Sequence, residues 1–137
     1  MKFLLIDQVL DRTPTSIVAI KNVTAAEEYL GDHFPGFPVL PGVFMLEALT
    51  QAARELLKDR GQRLVLGQVK ALRYGSFVRP GEALKVEVTL DKTNEDGSFA
   101  MKGQASVVRV DGTGETAVSG RFTMRPARIP ATAAAGA

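Results

Sequence analysis

Between Val43 and Ala53 the sequence reads VFMLEALTQAA, with apolar residues on nearly every side of a helix. A helix that is apolar all round is buried rather than laid on a surface. The rest of the 137 residues must therefore be built around it. Pro41 suits the first helical turn, where its missing N–H would be unpaired anyway. Gly61 is a good stop, which predicts one long helix over 42–60. Its second half, with Arg54, Glu55, Lys58, Asp59 and Arg60, emerges into water. Just before it lies HFPGFPVLPG, three Pro and two Gly in ten residues. No regular element survives that density of breakers.

Strand signals surround the helix. Ile17–Val23 is rich in β-branched residues, and the polar TAAEEYLGD after it suits one short helical turn. Leu64–Tyr74 reads as a strand. Leu84, Val86, Val88 and Leu90 alternate with Lys85, Glu87 and Thr89, a period of two. NEDG at 94–97 and DGTG at 111–114 are turns that delimit Ser98–Val110 and Glu115–Met124, two consecutive hairpins. One helix and about five antiparallel strands make an α+β layer fold with the sheet curled around the helix. Such a sheet leaves a long edge strand that invites a second copy, so a homodimer is expected. Residues 1–125 form one domain, and 126–137, without periodic pattern, read as a flexible tail.

Composition removes whole classes of chemistry. There is no Cys, hence no disulfide framework, thiolate nucleophile or cysteine metal site, and any histidine chemistry runs through His33, the single His. The apolar runs fall short of the ~20 residues of a membrane span. The start MKFLLIDQVL is too short in its apolar core for a signal peptide, so the chain reads as cytoplasmic. The net charge of +2 and few aromatics argue against a nucleic-acid reader. That total hides a basic segment: residues 54–79 hold seven basic against two acidic groups, a face for an acidic partner or simply a solvated helix end and loop.

Four positions bear on chemistry. Glu47 sits among Val43, Phe44, Met45, Leu46, Ala48 and Leu49, too deep in the helix to cap it. A carboxyl held in an apolar site takes up a proton and becomes a good general acid; the plain alternative is a Glu that reaches solvent or a nearby Arg. Gln51, four residues on, shares its face and can orient it or merely satisfy it. His33 has the proton-transfer range of imidazole, and its rigid loop leads into a helix N-terminus. There a free backbone N–H, best that of Gly42, can polarise an oxygen gaining negative charge. A base, an acid and an oxyanion donor suit removal of a proton beside a thioester carbonyl with loss of a hydroxyl at the next carbon, or the reverse hydration. Spacing leaves open whether His33 and Glu47 meet within a chain or across a dimer.

With LLIDQVL at 4–10, AIKNVT at 19–24, HFPGFPVLPGVFMLEALTQAA at 33–53 and RYGSFVRPGEAL at 73–84, the chain resembles the 3-hydroxyacyl-(acyl-carrier-protein) dehydratases of bacterial type II fatty acid synthesis. The likeness runs from near residue 3 to near 120. It implies the hot-dog fold, a curved antiparallel sheet wrapped around one helix. It implies a homodimer joined edge to edge, with a trimer of dimers left open, in which His33 of one subunit faces Glu47 of the other. His33 would take the α-proton, Glu47 would protonate the departing hydroxyl and the Gly42 N–H would hold the thioester oxygen. Phe34, Val39, Leu40, Pro41 and Gln51 would join Gly42 along the substrate. No metal or organic cofactor is implied. The acyl chain would arrive on the phosphopantetheine arm of acyl carrier protein, with Arg54, Lys58, Arg60, Arg73 and Arg79 as candidate docking residues. The chain departs from the family at Asp32, where Gly is usual, and at its start, which lacks the HRYPF-like segment. A hot-dog thioesterase, an enoyl-CoA hydratase and a non-catalytic acyl-binding or partner subunit are the other readings.

Overall fold

The computed structural model describes residues 3–60 and 63–129. Six strands form one antiparallel sheet: β1 (Gln8–Arg12), β2 (Ser16–Asn22), β3 (Leu64–Tyr74), β4 (Ala83–Thr93), β5 (Phe99–Val108) and β6 (Gly114–Pro126), in the order β1-β2-β4-β5-β6-β3. The helix α1 (Gly42–Leu56) packs on β2 to β6. This is the curved sheet around one helix that the resemblance implies. The sixth strand is β1: its burial pattern shows no inward face, so it carries no period-two signal, and backbone pairing with β2 alone defines it.

Alternation builds the core. Ile17 and Ala19 of β2, Leu84, Val86 and Val88 of β4, and Met101, Ala105 and Val107 of β5 are buried, each separated by a less buried neighbour. Met45, Ala48, Leu49, Ala52, Ala53 and Leu56 face them at helical spacing. Helix and sheet approach closely at Gly103 of β5, where an added Cβ would lie 3.1 Å from Leu49 and from Phe122. Lys21, inward on β2, reaches Glu27 at 2.8 Å and Asp7 at 3.9 Å. A buried ammonium needs such partners, and this pair fastens the segment that leads to His33 beneath the sheet.

Two expectations about the helix change. It ends at Leu56, and a 3-10 turn over Lys58–Arg60 follows; Gly61 lies outside the described residues, as does 130–137 of the expected tail. The Leu57 N–H still makes an α-helical bond to the Ala53 carbonyl, and the chain then tightens because Arg60 N–H bonds three residues back to the Leu57 carbonyl. The first half of α1 is also not buried on all sides: Val43 is 66% exposed, and Phe44, Leu46 and Glu47 are half-buried. The single sheet covers one face, so the apolar residues opposite lie uncovered in one chain.

The edge strand β3 is irregular. Its pairing with β6 shifts between Leu66 and Val69 and between Lys70 and Arg73, and Ala71 in the second bulge has φ 53°. Left-handed backbone costs an L-residue about 1–2 kcal/mol, least for Gly and most for β-branched side chains. Ala71→Val is therefore expected to lower stability by about 1–2 kcal/mol, and Ala71→Gly to hold or raise it; urea denaturation of both variants checks the order.

Candidate active site

His33 enters through a short, tightly closed loop. Phe34 and Phe37 exchange backbone hydrogen bonds at 2.9 Å each way, with Gly36 at φ +79° in the turn between them. The Val39 N–H then bonds to the His33 carbonyl at 2.9 Å. This folds the Val39 carbonyl back to 3.1 Å from His33 Nδ1. A carbonyl only accepts, so Nδ1 carries the proton, and the neutral ring keeps its lone pair on Nε2. The Phe34 ring stacks on the imidazole at 4.1 Å. Asp32 is exposed and, among the described residues, makes no ion pair or hydrogen bond with His33. The ring is thus prepared as a base by a carbonyl rather than a carboxylate.

The loop continues into the helix. Leu40 N–H bonds to the Val78 carbonyl at 2.8 Å. Pro41 is the residue before the helix rather than its first, with ψ 139° extended, and its carbonyl takes the N–H groups of Phe44 and Met45. Gly42 and Val43 are then the first two helical residues, and among the described residues their N–H groups have no backbone acceptor. That is the ordinary condition of a helix start, with partial positive charge on free donors. The Tyr74 ring lies against Gly42, where an added Cβ would stand 2.9 Å from Cε1 and 3.0 Å from Cζ. Burial there pushes the Tyr74 phenol up from its ordinary value of 10.0, so it remains a neutral donor through the neutral range.

Glu47 is half-buried, one turn and a half into α1. Gln51 Nε2–H donates to its Oε1 at 3.2 Å, as the four-residue spacing predicts. The same amide donates to the Phe3 carbonyl at 3.0 Å and accepts from Leu5 N–H at 2.8 Å. Gln51 thus serves Glu47 and the start of the chain, and its oxygen and one of its two N–H groups are taken by the backbone. Val39 and Leu40 are 1% and 2% exposed, so in the single chain neither lies open to a ligand, and they shape the site from within the core. Phe34, 51% exposed, is open to one.

Among the described residues, no hydrogen bond or ion pair joins His33 to Glu47 within the chain. The five candidate docking residues divide into two groups. Arg54 donates to the Leu64 carbonyl, Lys58 pairs with Glu55 at 2.7 Å and Arg60 lies over the Phe99 ring, all beyond the C-terminal end of α1 or in its last turn. Arg73 adjoins Tyr74, and Arg79 sits over the Phe37 ring at 5.1 Å, beside the His33 loop. A helix of this length separates the groups by about 20 Å. Sequence patterns gave no sign of Tyr74 on Gly42, of the Phe37–Phe77 contact at 5.5 Å or of the anchoring of Phe3 and Leu5. Each joins segments far apart in the chain, which no local period records.

Residues 10–113 match the family described as ApeI-like, ApeI dehydratase. The chain belongs to the ApeI-like dehydratase family. This dehydratase is 42% identical over 109 residues to the 3-hydroxyacyl-(acyl-carrier-protein) dehydratase FabZ of Lactobacillus helveticus, covering 76% of this chain and 73% of the relative. It is 42% identical over 113 residues to the FabZ of Verminephrobacter eiseniae, covering 77% and 75%. Among solved structures, the dehydratase heterocomplex ApeI:P from Xenorhabdus doucetiae superposes with a TM-score of 0.70 at 17% identity, over 91% of this chain and 99% of that one. A hypothetical thioesterase with coenzyme A from Streptococcus pneumoniae shares the fold at a TM-score of 0.63 and 12% identity, over 88% and 84%. The dehydratase carries the hot-dog fold. No helix among its described residues is long and apolar enough to cross a membrane.

Proposed function

We propose that this dehydratase converts 3-hydroxyacyl thioesters on acyl carrier protein to trans-2-enoyl thioesters and water, in the cytoplasm, with each active site shared between two copies of the chain. His33 Nε2 takes the proton from the carbon next to the thioester carbonyl. The electrons move into that carbonyl, whose oxygen the Gly42 N–H holds. As they return to form the double bond, Glu47 of the partner subunit gives its proton to the leaving hydroxyl, and water departs. Before the next turnover the proton on His33 passes to Glu47, directly or by exchange through solvent, which resets both groups.

The observation that carries this reading is the bond between His33 Nδ1 and the Val39 carbonyl, which leaves Nε2 as a base on the loop that leads into the helix start, where the Gly42 N–H has no backbone acceptor among the described residues. The relatives at 42% identity supply the substrate class. Support for a shared site comes from three features. His33 and Glu47 are not bonded within one chain. β3 is an edge strand with one side unpaired. Val43, Phe34, Tyr74 and Phe77 leave between 50% and 66% of their surface exposed around the His33 loop and helix start, the kind of apolar patch that a second copy covers. Arg73 and Arg79, on that same side, meet the acidic carrier.

The test is direct. The protein is incubated with 3-hydroxyacyl carrier proteins of graded chain length, and the acyl mass is followed. Loss of one water supports the proposal. Release of a free thiol instead would make the chain a thioesterase.

A further inference from the structure

The backbone of residues 3–5 is tied to the acid through one side-chain amide. The Phe3 carbonyl and the Leu5 N–H both turn toward Gln51, at 3.0 and 2.8 Å. Leu5 is 1% exposed and anchors the segment in the core. The Leu5 N–H requires an acceptor opposite it and the Phe3 carbonyl requires a donor. Together they permit one orientation of the amide, oxygen toward Leu5 and NH2 toward Phe3. One hydrogen of that NH2 goes to Phe3, and the other is left for Glu47 Oε1, 3.2 Å away. If the amide turned over, its oxygen would face the Glu47 carboxyl, and both backbone groups would lose their partners.

We infer that the backbone of residues 3–5 is a positioning element for the catalytic acid, acting through Gln51 to hold Glu47 Oε1 as an acceptor and so to place the acid's proton on Oε2. This rests on the reading of Glu47 as the general acid. Gln51 itself touches no reacting atom; it orders the carboxyl, and the chain segment orders Gln51. Rotation of the Glu47 carboxyl by half a turn would otherwise present either oxygen to the leaving hydroxyl, with the proton on the wrong one part of the time. The Phe3 side chain does not itself touch Gln51 by a hydrogen bond. Its ring packs edge-on against Phe44 at 4.9 Å and is 49% exposed, whereas the bond to Gln51 uses only its carbonyl.

Three variants separate these roles. Phe3→Ala keeps the carbonyl. A variant whose first residue is position 4, with Leu4→Met, removes the carbonyl. Gln51→Glu keeps the shape and the acceptor for Leu5 but cannot donate to both Phe3 and Glu47. The shortened variant and Gln51→Glu are expected to lower kcat for a 3-hydroxyacyl carrier protein by about ten- to a hundredfold, with KM changed less than about threefold, because a misplaced group costs rate more than binding. Phe3→Ala is expected to lose clearly less than the shortened variant, since the carbonyl bonded to Gln51 is kept. The Gln51 side-chain amide protons, followed by NMR, are expected to be protected from solvent exchange in the parent and in Phe3→Ala, and to exchange freely in the shortened variant. Wild-type kcat in the shortened variant, an equal loss in Phe3→Ala, or a loss carried by KM alone would each overturn the inference. So would a parent amide that exchanges as fast as in the shortened protein. Failure of the parent to dehydrate any carrier-bound substrate would instead remove the reading of Glu47, while the exchange measurement would still decide whether the clamp exists.

Discussion

His33→Ala and Glu47→Ala are each expected to lower dehydration by about 10²–10⁴-fold, the usual worth of a positioned base or acid, while a co-expressed mixture of the two recovers about a quarter of the wild-type rate. The recovery follows from counting sites in a two-fold dimer. If each site takes His33 from one copy and Glu47 from the other, a mixed dimer has one site with both groups and one with neither. Half of randomly paired dimers are mixed, and half of their sites work, hence about a quarter. If both groups came from one chain, every site would lack one of them and the mixture would stay inactive. Steady-state assays on the two purified variants and on the co-expressed mixture read the result, and a doubly tagged, purified mixed dimer should reach about half of the wild-type rate. Each variant should keep its fold by circular dichroism, because neither side chain lies in the apolar core. Substantial activity in either single variant would remove the proposed chemistry altogether.

Gly42→Pro should lower kcat by about 10²–10³-fold, the loss typical of one oxyanion donor, while leaving the helix in place. Gly42 is the first residue of α1, where proline is well tolerated because its missing N–H had no intrahelical partner. Pro41 already has φ −57° and ψ 139°, the extended conformation that a following proline demands. The substitution therefore deletes one donor with little change in backbone. Its ring would crowd Tyr74, which stands 2.9 Å from the site of a Cβ. Gly42→Ala supplies the control, since it creates the same contact and keeps the N–H. Tyr74 is half exposed and can swing aside, so Gly42→Ala should retain most of kcat. Equal losses in the two variants would mean that the contact with Tyr74 matters and the N–H does not. Circular dichroism of both checks that α1 is intact.

Much of the architecture was legible before any coordinates. The alternation of Leu84 to Leu90, the NEDG and DGTG turns and the single apolar helix are local signals, and each became the element it announced. The strand at Gln8–Arg12 was not legible, because every one of its residues is exposed and backbone pairing alone defines it. The helix end was misplaced, at Gly61 rather than Leu56, because the tightened turn at Leu57–Arg60 keeps helical composition. The burial of VFMLEALTQAA on all sides was an inference from composition, and one chain meets it only on the sheet side. The uncovered remainder is where a second copy is proposed to pack.

By itself, the sequence determined that one rigid Pro- and Gly-rich loop delivers His33 to the start of an apolar helix carrying Glu47 and, four residues on, Gln51. These are consequences of short-range backbone restriction and helical period, which a linear chain displays openly. Tertiary structure alone decided which ring nitrogen of His33 holds the proton, because that depends on where the loop returns the Val39 carbonyl. It decided that Tyr74 covers Gly42, and that Gln51 is held by Phe3 and Leu5, partners 48 and 46 residues away. Contacts at such separations arise from sheet order and helix docking, and no spacing within one segment encodes them.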